Sequence, residues 1–427
     1  MRTRSLLSFA LIPLLPLASH ASGPATIAPA INALGLDLYR QHIKTAEGKN
    51  VLLSPYSVAS ALAMTYAGAA GETKAEMQRV LRFPADQARN AEEFRLLMAA
   101  MQRIEGNSRT MKEMADRHGR GEGVEIIELH TANRLFAQRG YALRPAFLQT
   151  VADNFGAGVG EVDYRRATES VRREINSWVS EQTHERIPEL IPEGKLRADA
   201  RLTLVNALYL KAPWKDPFEA ESTKPLPFHL AKGDSVDIPT MHQLTGYRYA
   251  HRKGCTIVGL PYGMGDLQLV LFVPDQIDGL TKLERTLTVA DLEATARMDF
   301  RAVSLFLPKF KISPGTMTLS SVLQALGLKT AFDQPRGSAN FDGMAPRKPD
   351  DYLAIDEVVH QTWLALDEKG TEAAAATAVV MLSGFAASER PKPPVEVRAD
   401  RPFLFAIQHI ESGACLFLGR VTDPRSE

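Results

Sequence analysis

Residues 367–381 read Asp-Glu-Lys-Gly-Thr-Glu-Ala-Ala-Ala-Ala-Thr-Ala-Val-Val-Met, and they admit two incompatible structures. Four consecutive alanines are the best helix-forming tract a chain can carry. Yet Gly370 punctuates a polar approach to them, and the β-branched Thr377, Val379 and Val380 follow. A surface helix capped at Thr371 is one outcome. The other is a strand that waits outside a sheet and enters it later. Such a strand needs side chains small enough to slip between two existing strands, with nothing bulky along the half that enters first. The tract meets that condition, but taken by itself it favours the helix, so the rest of the chain has to decide between the two.

The rest of the chain supplies material for such a sheet. Its 427 residues are 45% hydrophobic and 23% charged, an ordinary globular balance. The formal net charge is zero, which gives no pull toward nucleic acid or an anionic membrane surface. Two cysteines, Cys255 and Cys415, cannot make a disulfide framework, and both lie in apolar runs that suit buried thiols. Beyond residue 20 no stretch is long and apolar enough to span a bilayer. The N-terminus differs: basic Arg2 and Arg4, an apolar run Leu6–Leu17, then Ala18-Ser19-His20-Ala21 with small residues at the cleavage positions. This pattern is that of a signal peptide over 1–21, with a mature domain over 22–427 that is secreted or periplasmic. Pro13 and Pro16 argue against a buried helix there.

Periodicity places helices first and strands later. A helical pattern spans Ile31–Ile43. Ser54-Pro55 is an N-cap followed by Pro in the first turn, and the following helix is apolar nearly all round, so it should be central, with Gly71 as its stop. Another helix covers Glu72–Leu81. The polar, Gly-containing stretch 105–123 reads as a surface loop. Glu128–Ala137 and Leu202–Leu210 read as strands, Val171–Glu185 as a helix. Ile257–Leu260, Leu267–Val273, Val303–Leu307, Trp363–Leu366, Phe403–Ile407 and Cys415–Val421 are apolar runs bounded by turn residues. Little βα alternation means α+β in a single large domain. Pro391 to Pro394 is extended by composition, and with the Ala-rich tract it frames Leu382–Arg390 as an exposed loop with anchored ends.

Four blocks in order then carry a family likeness. Asn50 through Met77 holds Ser-Pro-x-Ser and Met-x-x-x-Gly-Ala-x-Gly-x-Thr. Val205-Asn-Ala-Leu-Tyr-Leu-Lys-Ala-Pro-Trp214 continues to Phe218. Leu307-Pro-Lys-Phe310 precedes Leu323-Gln-Ala-Leu-Gly327. Ala399-Asp-Arg-Pro-Phe-Leu-Phe405 leads to Leu416-Phe-Leu-Gly-Arg420. Asn133-Arg-Leu-Phe136 and Ile355–His360 fit as well. Together with the Ala-rich tract they resemble the serpin family, read here as an exported, prokaryotic-type member. One departure is Ala212-Pro213, where the family has Gly after the Lys of the second block; it touches the backbone where the loop would enter.

The resemblance implies a serpin fold: one domain with three β-sheets, about nine helices and an exposed reactive loop over about 368–394. It implies a suicide-type inhibitor, not an enzyme. A target serine protease cuts the loop to a covalent acyl-enzyme, and the loop then inserts into the central sheet. A monomer is expected, with no cofactor and no metal. The hinge would be Glu368, Gly370, Thr371, Glu372, Ala373, Ala374, Ala375, Ala376 and Thr377. Once inserted, side chains alternate faces. Thr371, Ala373, Ala375 and Thr377 form a small uncharged face, and Glu372 falls on the other, solvent-tolerant one. Counting from Gly370 places the scissile bond at Gly384–Phe385; Phe385–Ala386, one residue on, would offer a Phe to a chymotrypsin-like pocket, and the small, flexible setting suits a chymotrypsin-like or elastase-like protease. Ser54, Ser57, Asn206 and His360 match a polar cluster under the central strands. Trp214 and Lys309 match the place where the loop enters, Lys309 within reach of a salt bridge to Glu368.

Two other readings stand beside this one. A non-inhibitory relative, serving as carrier, chaperone or store, would tolerate bulky or charged hinge residues, and none occurs between Ala373 and Ala378. A secreted enzyme would need its own site, and the chain has no Gly-x-Ser-x-Gly, His-Glu-x-x-His, Cys-x-x-Cys or P-loop. Gly156-Ala-Gly158-Val-Gly160 reads as a turn, and the Arg165-Arg166 and Arg172-Arg173 pairs as a solvated helix face.

Overall fold

The computed structural model describes residues 27–121, 124–231, 233–372 and 393–425. The proposed signal peptide, hinge residues Ala373–Thr377 and scissile residues Gly384, Phe385 and Ala386 lie outside them.

Nine α-helices occur among the described residues. The first six are α1 (Ala28–His42), α2 (Pro55–Gly68), α3 (Gly71–Leu81), α4 (Gln87–Arg117), α5 (Pro145–Phe155) and α6 (Tyr164–Gln182). The short α7 (Leu280–Thr286), α8 (Val289–Ala294) and α9 (Ser320–Ala325) follow. The strands are β1 (Val51–Leu53), β2 (Glu128–Gln138), β3 (Val159–Val162), β4 (Leu202–Pro213), β5 (Lys224–His229) and β6 (Ser235–Arg252). Then come β7 (Cys255–Tyr262), β8 (Leu267–Pro274), β9 (Phe300–Pro308), β10 (Phe310–Ile312), β11 (Met317–Thr318) and β12 (Ile355–Thr362). The last are β13 (Leu364–Asp367), β14 (Gly370–Thr371), β15 (Val395–Arg398), β16 (Phe403–His409) and β17 (Cys415–Val421).

Strands join into two hydrogen-bonded networks. The nine-stranded one runs β1-β17-β16-β8-β7-β6-β9-β15, with β5 on β6. Long β6 serves two sheets: Ser235–Thr240 pairs with β5 and Arg248–Arg252 with β7, while β9 lies along Thr240–Arg248. The three expected sheets are thus present, two of them sharing β6. The eight-stranded network runs β10-β13-β14-β4-β12-β11, with β2 and β3 beyond β4. Helix α2 packs against β17 of the first network and β2 and β4 of the second. Every residue of it except Ala67 is buried, as its sequence demands, and Ser54 caps it by accepting from Ser57 N–H at 3.1 Å.

Four sequence expectations are corrected. The stretch 105–123 is no loop as far as Arg117, because α4 continues through it. Buried Met101, Ile104 and Ser108 extend the inward stripe, and the pairs Glu105–Arg109, Lys112–Asp116 and Glu113–Arg117 support the outer face. These outweigh Gly106, which costs a helix about 1 kcal/mol relative to Ala. Helix α6 starts at Tyr164, capped by Asp163, and stops at Gln182; His184 and Glu185, expected inside it, adopt positive φ of 48° and 62°. Gly71 opens α3 instead of ending α2. Arg172 is not solvated: its guanidinium meets Glu169 and Glu189 carboxylates and the Ile191 carbonyl, each at 2.8 Å. Both cysteines are buried free thiols, and no helix among the described residues is long and apolar enough to cross a membrane.

Candidate functional site

The site is a seam in the eight-stranded sheet that is closed below and open above. Below, β4 and β12 pair in parallel from Leu202–Ile355 to Leu208–Thr362. Above that point the two strands part, and β14 lies between β4 and β13, antiparallel to both. Thr371 is level with Ala212 and Leu366, Gly370 with Pro213 and Asp367. Glu372 N–H then donates to Ala365 C=O at 2.9 Å. The chain that leads into the Ala-rich tract therefore stands at the mouth of the seam.

Gly370 is required there by close approach: a Cβ would sit 2.2 Å from the Ala212 carbonyl oxygen and 2.7 Å from Pro213 Cα. The Ala212-Pro213 departure leaves β4 intact to Pro213, since Pro can occupy a strand end where its missing N–H is not needed. Thr371 is fully buried, its hydroxyl 2.6 Å from that of Tyr262. Tyr262 stacks on Trp214 at 4.5 Å and 8°. Trp214 in turn holds the turn that feeds β14: its indole N–H donates to Asp367 C=O at 2.9 Å and its backbone N–H to Lys369 C=O at 2.8 Å. Lys309 Nζ lies 2.7 Å from Glu368 Oε2, and Thr223 donates to Glu368 Oε1 at 2.8 Å. Burial alone would raise the Glu368 pKa, but the hydrogen bonds from Lys309 and Thr223 leave it below the usual carboxylate value.

Glu372 follows β14 with a left-handed φ of 49°, so the strand alternation expected through it breaks off at Thr371. It is not solvated there. Its side chain is only 11% exposed and is paired with Arg186, whose guanidinium lies 4.9 Å from the Trp363 ring centroid. Burial and the neighbouring Glu372 carboxylate raise the pKa of the Tyr209 phenol.

Lower in the seam, His360 and Asn206 are cross-strand partners and both are fully buried. Ser54 N–H donates to His360 Nε2 at 3.0 Å, so Nδ1 carries the proton and donates to Asn206 Oδ1. Asn206 Nδ2 donates to Ser57 Oγ at 2.6 Å, and Ser57 Oγ to Asn133 Oδ1 at 2.9 Å. Burial pushes the His360 pKa down to about 3, so the imidazole stays neutral. Ser54, Ser57, Asn206 and His360 are thus brought together, and Trp214, Lys309, Glu368, Gly370 and Thr371 meet at the mouth. Asn133 is a member of the cluster that sequence reasoning missed. Its position opposite Asn206 in the β2–β4 register was the available signal, once both strands had been read.

Comparison with known proteins agrees with this geometry. The model of the family Serpin (serine protease inhibitor) matches residues 29–424. Leukocyte elastase inhibitor of Homo sapiens is 34% identical over 93% of this chain and 99% of its own length, and that of Sus scrofa 35% over the same shares. These relatives are vertebrate proteins and lend no support to a prokaryotic type. Among solved structures, uncleaved ovalbumin superposes with a TM-score of 0.74 at 26% identity, covering 93% of this chain and all of its own. A serpin of the insect Tenebrio molitor gives 0.73 at 29%, covering 93% and 98%. With a family model spanning nearly the whole chain, and a seam that holds the start of the Ala-rich tract at its mouth, the chain belongs to the serpin family.

Proposed function

We propose that this protein is a suicide-type inhibitor of an elastase-like or chymotrypsin-like serine protease. The observation that carries the reading is the seam: a parallel β4–β12 ladder with Gly370 and Thr371 seated antiparallel at its open end. Parallel pairing is slightly weaker per residue than antiparallel pairing. Inserting the tract beyond Glu372 would replace one parallel ladder by two antiparallel ones. At roughly 1 kcal/mol net per added hydrogen bond, about ten inserted residues gain on the order of 10 kcal/mol. That gain is locked until the loop is cut, because an intact loop is anchored at both ends.

The protease supplies the nucleophile and the inhibitor supplies the carbonyl. Cleavage at Gly384–Phe385 or Phe385–Ala386 frees one end while the acyl bond keeps the protease attached. Insertion then drags it across the sheet. A displacement of about 1 Å in its catalytic geometry costs around 10²-fold in rate. Loss of an oxyanion-hole donor costs another ~10²–10³. Hydrolysis of the acyl bond stalls and a covalent complex accumulates. The Ser54–Ser57–Asn206–His360 cluster would let β4 and β12 exchange polar partners as they part, while Trp214 and the Lys309–Glu368 pair hold the hinge in register. The inhibitor acts as a monomer, exported after removal of residues 1–21.

The test is to incubate the mature protein with chymotrypsin and with leukocyte elastase and to run denaturing gels with intact mass. The reading expects a band of summed mass that survives boiling in detergent, and a released peptide starting at Phe385 or Ala386. Loop cleavage by both enzymes without that band would sink it in favour of the non-inhibitory alternative. N-terminal sequencing of the exported chain should begin at Ser22.

A further inference from the structure

Residues 183–191, the chain leaving α6, lie as a strap across the outer face of the seam. Ile187, Leu190 and Ile191 share a buried cluster with Val205 and Ala207 of β4 and Val359 of β12, the two strands that must part. Arg186 in the strap holds Glu372 and covers Trp363. Two residues earlier, His184 reaches β2. Its left-handed backbone, which His tolerates better than bulky residues do, turns the side chain over Glu128 and His130.

Glu128 and His130 are two apart on β2 and so share a face. His184 Nε2 lies 3.5 Å from Glu128 Oε2, and His130 Nε2 lies 4.0 Å from the same oxygen; one ligand atom from each of the three residues falls within 4.8 Å of the other two. Bonds of 2.0–2.2 Å to a tetrahedral ion put ligand atoms about 3.3–3.5 Å apart, so the shortest edge already fits and small side-chain rotations close the others. The two imidazoles meet edge to face at 5.0 Å, and His184 lies 4.9 Å from the Tyr209 ring. The other oxygen of Glu128 is 3.6 Å from Lys211 Nζ, which also pairs with Glu125 at 2.8 Å. That support orients the carboxylate from outside the trio. The side chains of His130 and His184 are 33% and 50% exposed, leaving room for an ion to arrive with a water as fourth ligand.

We propose that Glu128, His130 and His184 form a binding site for zinc, and that the bound ion staples the strap to β2 and slows insertion of the loop. Two imidazoles and one carboxylate are a donor set that zinc accepts with one open position. Zinc joins the strap to the sheet at a point two residues from the Arg186–Glu372 pair, so the strap must lift against the metal bonds before the seam opens under it. No metal-ligand spacing marks the trio in sequence, because the ligands come from segments far apart in the chain. The regulatory half of the proposal rests on the inhibitor reading above; the binding half does not.

The experiment titrates zinc chloride into the full mature chain by calorimetry, with His130→Ala and His184→Ala variants alongside. The expected result is one saturable site with micromolar or tighter affinity, weakened at least about tenfold in each variant. Absence of saturable binding, or equal affinity in all three proteins, overturns the site. Formation of detergent-stable complex with chymotrypsin is then timed with and without saturating zinc. Zinc should slow it at least about twofold in the wild type and leave His184→Ala unchanged, a control for any effect of zinc on the protease. Equal rates with zinc bound overturn the staple. Failure to form complex with either chymotrypsin or leukocyte elastase, with zinc binding intact, removes the inhibitor reading and the staple with it but leaves the metal site standing.

Discussion

The two strand networks differ in what they can exchange. In the nine-stranded network, every residue of β8, β16 and β17 is buried, and their antiparallel ladders carry Phe272, Phe403, Phe405 and Phe417 in one apolar core. Nothing there can move without opening cavities. The eight-stranded network places Asn206 and His360 at the centre of a parallel seam, with Ser54, Ser57 and Asn133 beneath. Polar partners that can be traded lower the cost of parting two strands, whereas apolar packing has no substitute short of refilling the space. On the inhibitor reading, the comparison teaches that the change is confined: one sheet takes it up, and the other keeps its shape through it.

The sharpest way to break that contrast is Phe405→Ala. Truncating a fully buried Phe costs about 3–5 kcal/mol. Because the nine-stranded network is taken as the fixed half, the loss should be the same before and after loop cleavage, read as the shift in denaturant midpoint of each form. A loss that differs between the two forms would show that this sheet also rearranges.

Next comes Thr371→Arg. Thr371 is fully buried against Tyr262, and a cation forced into that space carries a desolvation penalty of several kcal/mol. The variant should be cut by protease as a substrate while detergent-stable complex falls at least about tenfold on densitometry. Undiminished complex would mean that the seam does not receive the hinge.

A third test separates the sheets by pH. His360 is neutral in the fold with a pKa near 3, against about 6.5 when unfolded. Between those values the unfolded chain binds a proton that the folded chain does not, so stability is full above about pH 6.5 and falls as the pH drops. The slope from this one group approaches about 1.4 kcal/mol per pH unit. Urea midpoints measured from neutral pH to about pH 5 should fall more steeply for wild type than for His360→Gln, and parallel slopes would remove His360 as the source.

Much of the seam was legible before any coordinates. The smallness of Thr371 follows from passage between strands, and the Ser54-Pro55 cap and apolar circumference of α2 follow from helix chemistry, whereas the need for Gly370 shows only where Ala212 and Pro213 crowd it. What stayed hidden was set by partners distant in the chain. Helix α4 runs on through Gly106 because an inward stripe and surface ion pairs outvote one residue's propensity. Arg172 looked solvated because Glu189 and the Ile191 carbonyl approach it only after the strap folds back. Glu372 looked solvent-facing because no local pattern places Arg186 opposite it. Asn133 joins the cluster only through strand register.

The smallest expected effect lies at the mouth of the seam. Lys309 and Glu368 are 37% and 15% exposed, and a pair reached by solvent is worth at most about 1 kcal/mol. Because the Glu368 pKa is lowered in the fold, its contribution is present above the ordinary carboxylate value and is lost as the pH falls through the folded one. Lys309→Met should therefore cost little at neutral pH, nothing in acid, and less again in concentrated salt, which screens the pair. Its larger consequence is positional: freed from Lys309, Glu368 no longer ties the turn before Gly370 to the strand end at Pro308. The fraction of inhibitor cleaved without trapping protease should rise by more than the stability loss accounts for. If that fraction and the stability move together, the pair is only one more surface contact, and the mouth of the seam is held by its other partners: Trp214 on the turn, Thr223 on Glu368 and Tyr262 on Thr371.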